Sequence, residues 1–215
     1  MTDKLLNTLK SRYELRQLDT GEFAVIKANS MKFTVEAYCA EGLGHVSVMR
    51  AKGFFGLMKM DTLMIVPKGK DLPLYSYDRI YAMGSDTLIV ELYDTLTAPF
   101  NTAPLDKVNA RFSALPERDP GTHWYDSIKL PQSISKKGKK ADTTAFDELT
   151  REHFEAYLGT TTDTVDIAEK TRRSAFYVNG LLERGDPSTD VFKKTLGDAA
   201  TAKLFKQVLF GTDLP

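Results

Sequence analysis

The run Phe54–Pro67, FFGLMKMDTLMIVP, constrains this chain more than any other segment. Its apolar side chains fall on both faces of an extended strand, so a sheet that contains it must be covered on both sides. Pro67 ends the run, because proline cannot donate to a strand ladder. Around it the pattern alternates with a period of two. Phe23 and Val25 open that pattern from Gly21, and Phe33, Val35, Ala37 and Cys39 continue it. EGLGH reads as a turn, HVSVMRAKG as a strand, KGKD as the next turn, and Leu72–Leu96 as a hairpin folded about Gly84-Ser85-Asp86. Strands that follow one another through short turns pair antiparallel.

Helices flank this block. Thr2 is the expected cap of a first helix to Gln17, with Leu5, Leu6, Leu9 and Tyr13 at helical spacing. Residues Thr97–Pro120, with four prolines, read as a mixed connection, and THWYDSIKLP as one more short strand. SISKKGKKADTT reads as a mobile basic loop. A helix from Thr143 or Thr144 to Leu158 follows, then a long helix from Thr161 closed by Gly185. In DPSTDVFKKTLG, Asp186 is a natural N-cap, Pro187 a first helical residue and Gly197 a stop, and Asp198 caps a last helix. Helix, about six strands, then helices describe one domain over residues 1–215. Its expected architecture is a three-layer α/β/α sandwich of the α+β class with a central antiparallel sheet.

Several chemistries are excluded. Lys plus Arg and Asp plus Glu both number 29, so no bulk field points to nucleic acid or membrane, although a local patch remains possible. Cys39 is the only cysteine, which removes disulfides and multi-cysteine metal sites and suits a reducing compartment. The N-terminal MTDKLLNTLKSRYELRQ lacks the apolar core of a signal peptide, and no apolar run approaches the roughly 18 residues of a membrane span. A soluble, cytoplasmic protein is expected. No phosphate-binding glycine loop, dinucleotide fingerprint or nucleophile elbow is present. His45, His123 and His153 share no metal-ligand spacing. His153 reads as a surface residue, His123 as a pocket candidate and Cys39 as core. The lysines 136, 137, 139 and 140 read as a solvated loop or as a docking patch for an acidic protein, with no aromatic residues interleaved for nucleic acid.

One residue breaks the strand pattern. Asp78 lies in the middle of LYSYDRIYA, a poor place for a carboxylate. Strict alternation puts Leu74, Ser76, Asp78 and Ile80 on one face. Either Ile89, Glu91 and Tyr93 or Leu88, Val90 and Leu92 lie alongside. Two readings follow. In a Leu- and Tyr-lined pocket, desolvation would raise the Asp78 pKa and let the group deliver a proton near neutral pH. Alternatively, Asp78 pairs with Arg79 or Arg50, or accepts backbone hydrogen bonds.

The segment MIVPKGKDLPLYSYD resembles ferredoxin-dependent bilin reductases, in which a strand ends in Pro and D-x-P-[LMI]-[FY]-G-x-D opens the next. WYDSIKL, the basic run, the helix Thr144–Leu158 and the closing NGLLERGDPSTDVFKKTLGDAATAKLFKQVLFG follow in that family's order, over about residues 55–212. The resemblance implies an α/β/α fold that holds a linear tetrapyrrole between sheet and C-terminal helices. It further implies single electrons from external reduced ferredoxin, protons from pocket carboxyl groups, and no metal or flavin. The family's central aspartate falls on Asp78 and a second on Asp186, where capping of the helix after it is the stronger reading and is compatible with bordering a pocket. Thr62 stands where phycocyanobilin-forming members carry histidine, and Ser76 where the family has glycine. Pro187 replaces a lysine that holds a propionate, so Arg172, Arg173 or Arg184 would have to serve. The implied function is reduction of a biliverdin-like tetrapyrrole. Alternatives are a non-catalytic tetrapyrrole- or haem-binding protein of the same fold, and an interaction protein without such a ligand.

Overall fold

The structure is a computed structural model that describes residues 1–160 and 165–214. Its centre is an eight-stranded antiparallel sheet: β1 (Leu15–Leu18), β2 (Val25–Ala28), β3 (Met31–Ala40), β4 (Gly44–Gly53), β5 (Met58–Pro67), β6 (Leu74–Ala82), β7 (Ser85–Tyr93) and β8 (Ile134–Lys139). The order is β1-β3-β4-β5-β6-β7-β8, with β2 also pairing β3. The two-sided apolar strand β5 sits in the middle of it.

One face is covered by α1 (Thr2–Arg12), α2 (Ala103–Arg111) and α3 (Thr143–Gly159), which bury Leu5, Leu9, Leu105, Phe146 and Phe154 against Leu63, Ile65, Tyr75, Tyr77 and Val90. The other face is covered by α4 (Ile167–Arg184), α5 (Pro187–Leu196) and α6 (Asp198–Lys203), the last continued by a π-helical turn Leu204–Leu209. Tyr177, Val178, Leu181, Phe192 and Phe205 meet Phe33, Val35, Met49 and Met64 there. The three-layer α+β sandwich expected from the strand pattern is the observed one. Asp166 caps α4 by accepting the Glu169 amide at 3.0 Å, and Gly185 at φ 79° and Gly197 at φ 80° end α4 and α5. Thr161–Thr164, the expected start of the long helix, lie outside the described residues.

Several local expectations are corrected, among them THWYDSIKLP, expected as a strand, which holds a 3-10 turn over Trp124–Ile128. The first helix stops at Arg12, and Leu15–Leu18 pair with Ala37–Ala40, which gives the outer edge of β3 partners it would otherwise lack. The connection after Thr97 holds α2, since Pro104 sits in a first helical turn, where the missing N–H costs nothing. The basic run is the edge strand β8, not a mobile loop, because it completes the β7 ladder. Lys136 there is buried, paired with Glu117 and donating to the Leu115 carbonyl at 3.2 Å, while Lys137 and Lys139 stay exposed as edge guards. His153 is fully buried on the inner face of α3, its Nε2–H donating to the Gln132 carbonyl at 3.0 Å. Burial lowers its pKa to about 4. Cys39 is half-buried.

A buried clamp ties α4 to the start of β6. The Lys170 ammonium lies 3.2 Å from Asp71 and donates to the carbonyls of Leu72 at 2.6 Å and Thr95 at 3.1 Å. Asp71 also accepts the amides of Thr97 and Ala98. Asp71 opens the DLP turn, so this turn is pinned from three sides. At the far end of β4, His45 Nε2–H donates to the Val208 carbonyl at 2.8 Å and Ser47 to that of Leu209 at 2.7 Å, which seats the C-terminal turn on the sheet.

Candidate active site

The register decides which residues share the face beneath α4 and α5. Met49↔Thr62, Thr62↔Asp78 and Asp78↔Ile89 form one row, and Met64↔Ser76 and Ser76↔Glu91 form a parallel row two residues away. The open choice for β7 therefore resolves to Ile89, Glu91 and Tyr93. These rows floor a cavity of about 510 Å³ roofed by Tyr177, Leu181, Phe192, Phe205 and Phe210. Its size lies within the roughly 300–1,000 Å³ of small-molecule sites. Five of the seven methionines, Met31, Met49, Met58, Met60 and Met64, line it. Thioethers give an apolar wall that adapts to a large flat ligand. The exposed rim consists of Asn29 and Phe54 on one side and Pro187 and Ser188 on another.

Asp78 sits on that floor without an ionic partner among the described residues. Its strand neighbour Arg79 points through the opposite face and is bound bidentately to Asp86, at 2.5 and 2.6 Å. Arg50 is held by Glu36 at 2.9 Å and Asp3 at 2.5 Å. The structural ion-pair reading of Asp78 is thereby removed. Among the described side chains, Thr62 alone hydrogen-bonds it, Oγ1 to Oδ1 at 2.5 Å. Desolvation raises the Asp78 pKa to about 7, opposed by the Thr62 hydrogen bond and reinforced by the charges of Glu91 and Asp186. The group is half-buried because its open side faces cavity space rather than bulk solvent.

Two further carboxylates face the cavity. Glu91 accepts the Tyr93 hydroxyl at 2.6 Å and lies 3.7 Å from the Lys129 ammonium. Asp186 is the α5 N-cap: its Oδ1 accepts the amides of Ser188 at 2.6 Å and Thr189 at 2.8 Å. Capping and bordering the cavity are thus held by one side chain. Tyr93 stacks on Tyr177 at 4.0 Å between ring centroids, and Tyr125 meets both edge-on. His123 stacks flat on Tyr125, 4.9 Å away.

This shape has a known counterpart. The structure of phytochromobilin synthase from tomato, solved in complex with biliverdin, superposes with a TM-score of 0.81 at 13% identity, covering 98% of this chain and 82% of that one. The fold is that of a ferredoxin-dependent bilin reductase. The sequence itself matches no protein-family model and no curated protein.

Of the residues singled out from sequence, Thr62, Ser76, Asp78, Asp186 and His123 line the cavity together. Arg172, Arg173 and Arg184 do not. Helical spacing puts Arg172 and Arg173 beside Glu169, each at 2.7 Å: Arg172 is on the exposed side of α4, and Arg173 is on its flank, where it also donates to the Leu96 carbonyl away from the cavity. Arg184 lies over the Trp124 ring at 5.1 Å. The cation that does line the cavity is Arg118, whose backbone N–H donates to Ser135 O at 3.0 Å and whose guanidinium approaches Ser135 Oγ at 3.3 Å. It lies in irregular chain after α2, where no periodicity marks it. Glu91 carried a signal, as a second acid in alternation with the face of Asp78.

Proposed function

We propose that this protein binds a linear tetrapyrrole of the biliverdin type in the cavity and reduces it, with single electrons from external reduced ferredoxin. The observation that carries the proposal is Asp78: an unpaired carboxyl, pKa about 7, on the floor of an aromatic and methionine-lined cavity. The tomato enzyme of like fold was solved with biliverdin, which supports a ligand of that class here. Near neutral pH the Asp78 carboxyl is divided between its two forms. The acid form is therefore available to give a proton, and the base form to take one back. Oδ1 is held by Thr62, which orients the carboxyl and leaves Oδ2 for a pyrrole nitrogen. The first electron delivered to the ligand makes a radical anion that a proton from Asp78 neutralises, and the second turns the resulting neutral radical into a closed-shell anion that takes a second proton. Reduction of one double bond therefore takes two electrons and two protons, and Asp78 must be reprotonated between the two halves. Glu91 and Asp186 raise the Asp78 pKa, which favours its reprotonation between the two halves. Arg118 is positioned to hold one propionate.

Anaerobic absorbance with biliverdin and photoreduced ferredoxin tests the proposal. Bleaching of the bound pigment with new bands is expected. A bound spectrum that stays constant on reduction selects the non-catalytic tetrapyrrole-binding alternative, which Thr62 at the family's histidine position favours. No binding of any linear or cyclic tetrapyrrole overturns both.

A further inference from the structure

A net charge of zero conceals a local asymmetry at one end of the sheet. Ala28↔Met31, Met31↔Gly53, Gly53↔Met58, Met58↔Ala82 and Ala82↔Ser85 form one continuous row. The turns at 29–30, 54–57 and 83–84 therefore all project from the same end. Their side chains are unlike those of ordinary solvated turns. Phe54, Leu57 and Met83 are exposed, and Phe55 stands wholly in solvent at 109%. Phe54, Phe55 and Met83 hold φ of 51°, 55° and 49°, a region bulky residues rarely adopt.

The next row inward is basic. Lys27 faces Lys32, Lys32 faces Lys52, and Lys52 faces Lys59. All four are exposed, and none forms an ion pair among the described residues. Like charges directly opposite one another weaken a sheet, so the arrangement works against the fold. Residues 27–32, 52–59 and 81–85 contain no Asp or Glu. The hairpin KGFFGLMK carries both features, an apolar tip between lysine shoulders.

We propose that this end of the sheet docks on an anionic lipid surface. The Phe54–Leu57 tip enters the headgroup boundary while the lysine row meets the anionic headgroups. Interfacial binding needs buried apolar area plus electrostatic attraction, and this end supplies both on protruding turns. An acidic protein face would engage the lysines but leave Phe55 in water. Phe54 and Asn29 also rim the cavity, so docking turns that rim toward the bilayer and gives an amphipathic ligand a route from it. The proposal is independent of the reaction proposed above.

Vesicle sedimentation of the full chain at low salt tests it, comparing phosphatidylcholine alone with phosphatidylcholine containing about 30% phosphatidylserine. Binding to the anionic vesicles should exceed binding to the neutral ones by about tenfold or more. F55N/L57S and, separately, K52E/K59E should each reduce it by roughly tenfold. Asparagine tolerates the left-handed backbone at Phe55, and all four side chains are exposed, so circular dichroism should not change. Equal binding to both vesicles overturns the proposal. So does anionic binding that F55N/L57S leaves intact, which would be adhesion by charge alone. Capture of purified ferredoxin that K52E/K59E abolishes, with vesicles unbound, assigns the lysines to an acidic protein and also overturns it.

Discussion

Asp78 and Arg79 are adjacent in β6 and point through opposite faces of the same sheet, and the two faces treat charge differently. Beneath α3, Arg79 is fully buried, clamped by Asp86 at 2.5 Å and flanked by the rings of Phe146 and Tyr81. Beneath α4 and α5, Asp78 has a threonine hydroxyl and a cavity. The first face spends its acid on closing an ion pair and fills the remaining space with rings and aliphatic chains. The second holds three carboxylates, of which Glu91 alone has an ionic partner among the described residues, Lys129, and lines the space with methionine. A charge without a partner weakens the fold, so a face built this way reflects a demand other than stability.

The sharpest break of this contrast removes the partner on the filled face. Asp86→Ala leaves the Arg79 charge buried and should destabilise the protein by about 3–5 kcal/mol in urea titrations. A loss below about 1 kcal/mol would mean that Asp147, 3.7 Å from Arg79, suffices as a substitute partner.

The matching change on the open face should go the other way. Unfolded Asp titrates near 3.8 and Asp78 near 7, so its stability deficit is absent below about pH 4, grows as pH rises to 7, and is constant above. Asp78→Asn should therefore stabilise by about 1–3 kcal/mol at pH 8 and by almost nothing at pH 4. It should bind biliverdin within a few fold of the parent and reduce it roughly a hundredfold more slowly or worse. A destabilised variant with intact turnover per folded molecule would end the catalytic assignment.

The histidines sharpen the comparison through pH. His45 and His153, one beneath each cover, have pKa values lowered to about 4 chiefly by burial. Their stabilisation is complete above the unfolded value of 6.5 and is lost as pH falls toward 4, by about 2–3 kcal/mol each. Asp78 pulls in the opposite sense over nearly the same window. The urea midpoint should hence fall from pH 7 to pH 4.5, and fall more steeply in Asp78→Asn. An equal slope in both proteins would show that Asp78 ionises normally.

The contrast between faces was half legible in the sequence. Period-two alternation placed Ser76 and Asp78 together, and the two-sided run Phe54–Pro67 required two covers. The sequence marks the punctuation of α5 as plainly as the structure does. Alternation cannot choose the β7 partner set, because register is set by pairing, and so Glu91 remained one of two options. The sequence alone puts His153 on the surface because a helix of mixed charge hides which stripe faces inward until its neighbours are known. The arginines fail for a related reason: in α4 Glu169 holds Arg172 outward and Arg173 on the flank, where it meets the Leu96 carbonyl, and only packing shows which side each takes. Arg118 has no periodic context at all. Lys170 reads as an ordinary helical lysine, and only the fold brings it to Asp71.

The smallest expected effect separates the two roles of Asp186. As the α5 N-cap it accepts two backbone amides through Oδ1. Asp186→Ala removes that acceptor and should cost about 1 kcal/mol, whereas Asn caps nearly as well as Asp and should cost almost nothing. Asp186→Asn therefore keeps α5 in place while deleting one negative charge from the cavity. That charge is the last of the influences raising the Asp78 pKa, after desolvation and Glu91, so its loss should lower that pKa only slightly. The pH at which turnover falls off on the alkaline side should move down by a few tenths of a unit, with stability unchanged. Asp186→Ala should show the same displacement plus the stability loss. A profile that stays in place in Asp186→Asn would leave Asp186 a cap alone, and would require the electrostatic pressure on Asp78 to come from Glu91.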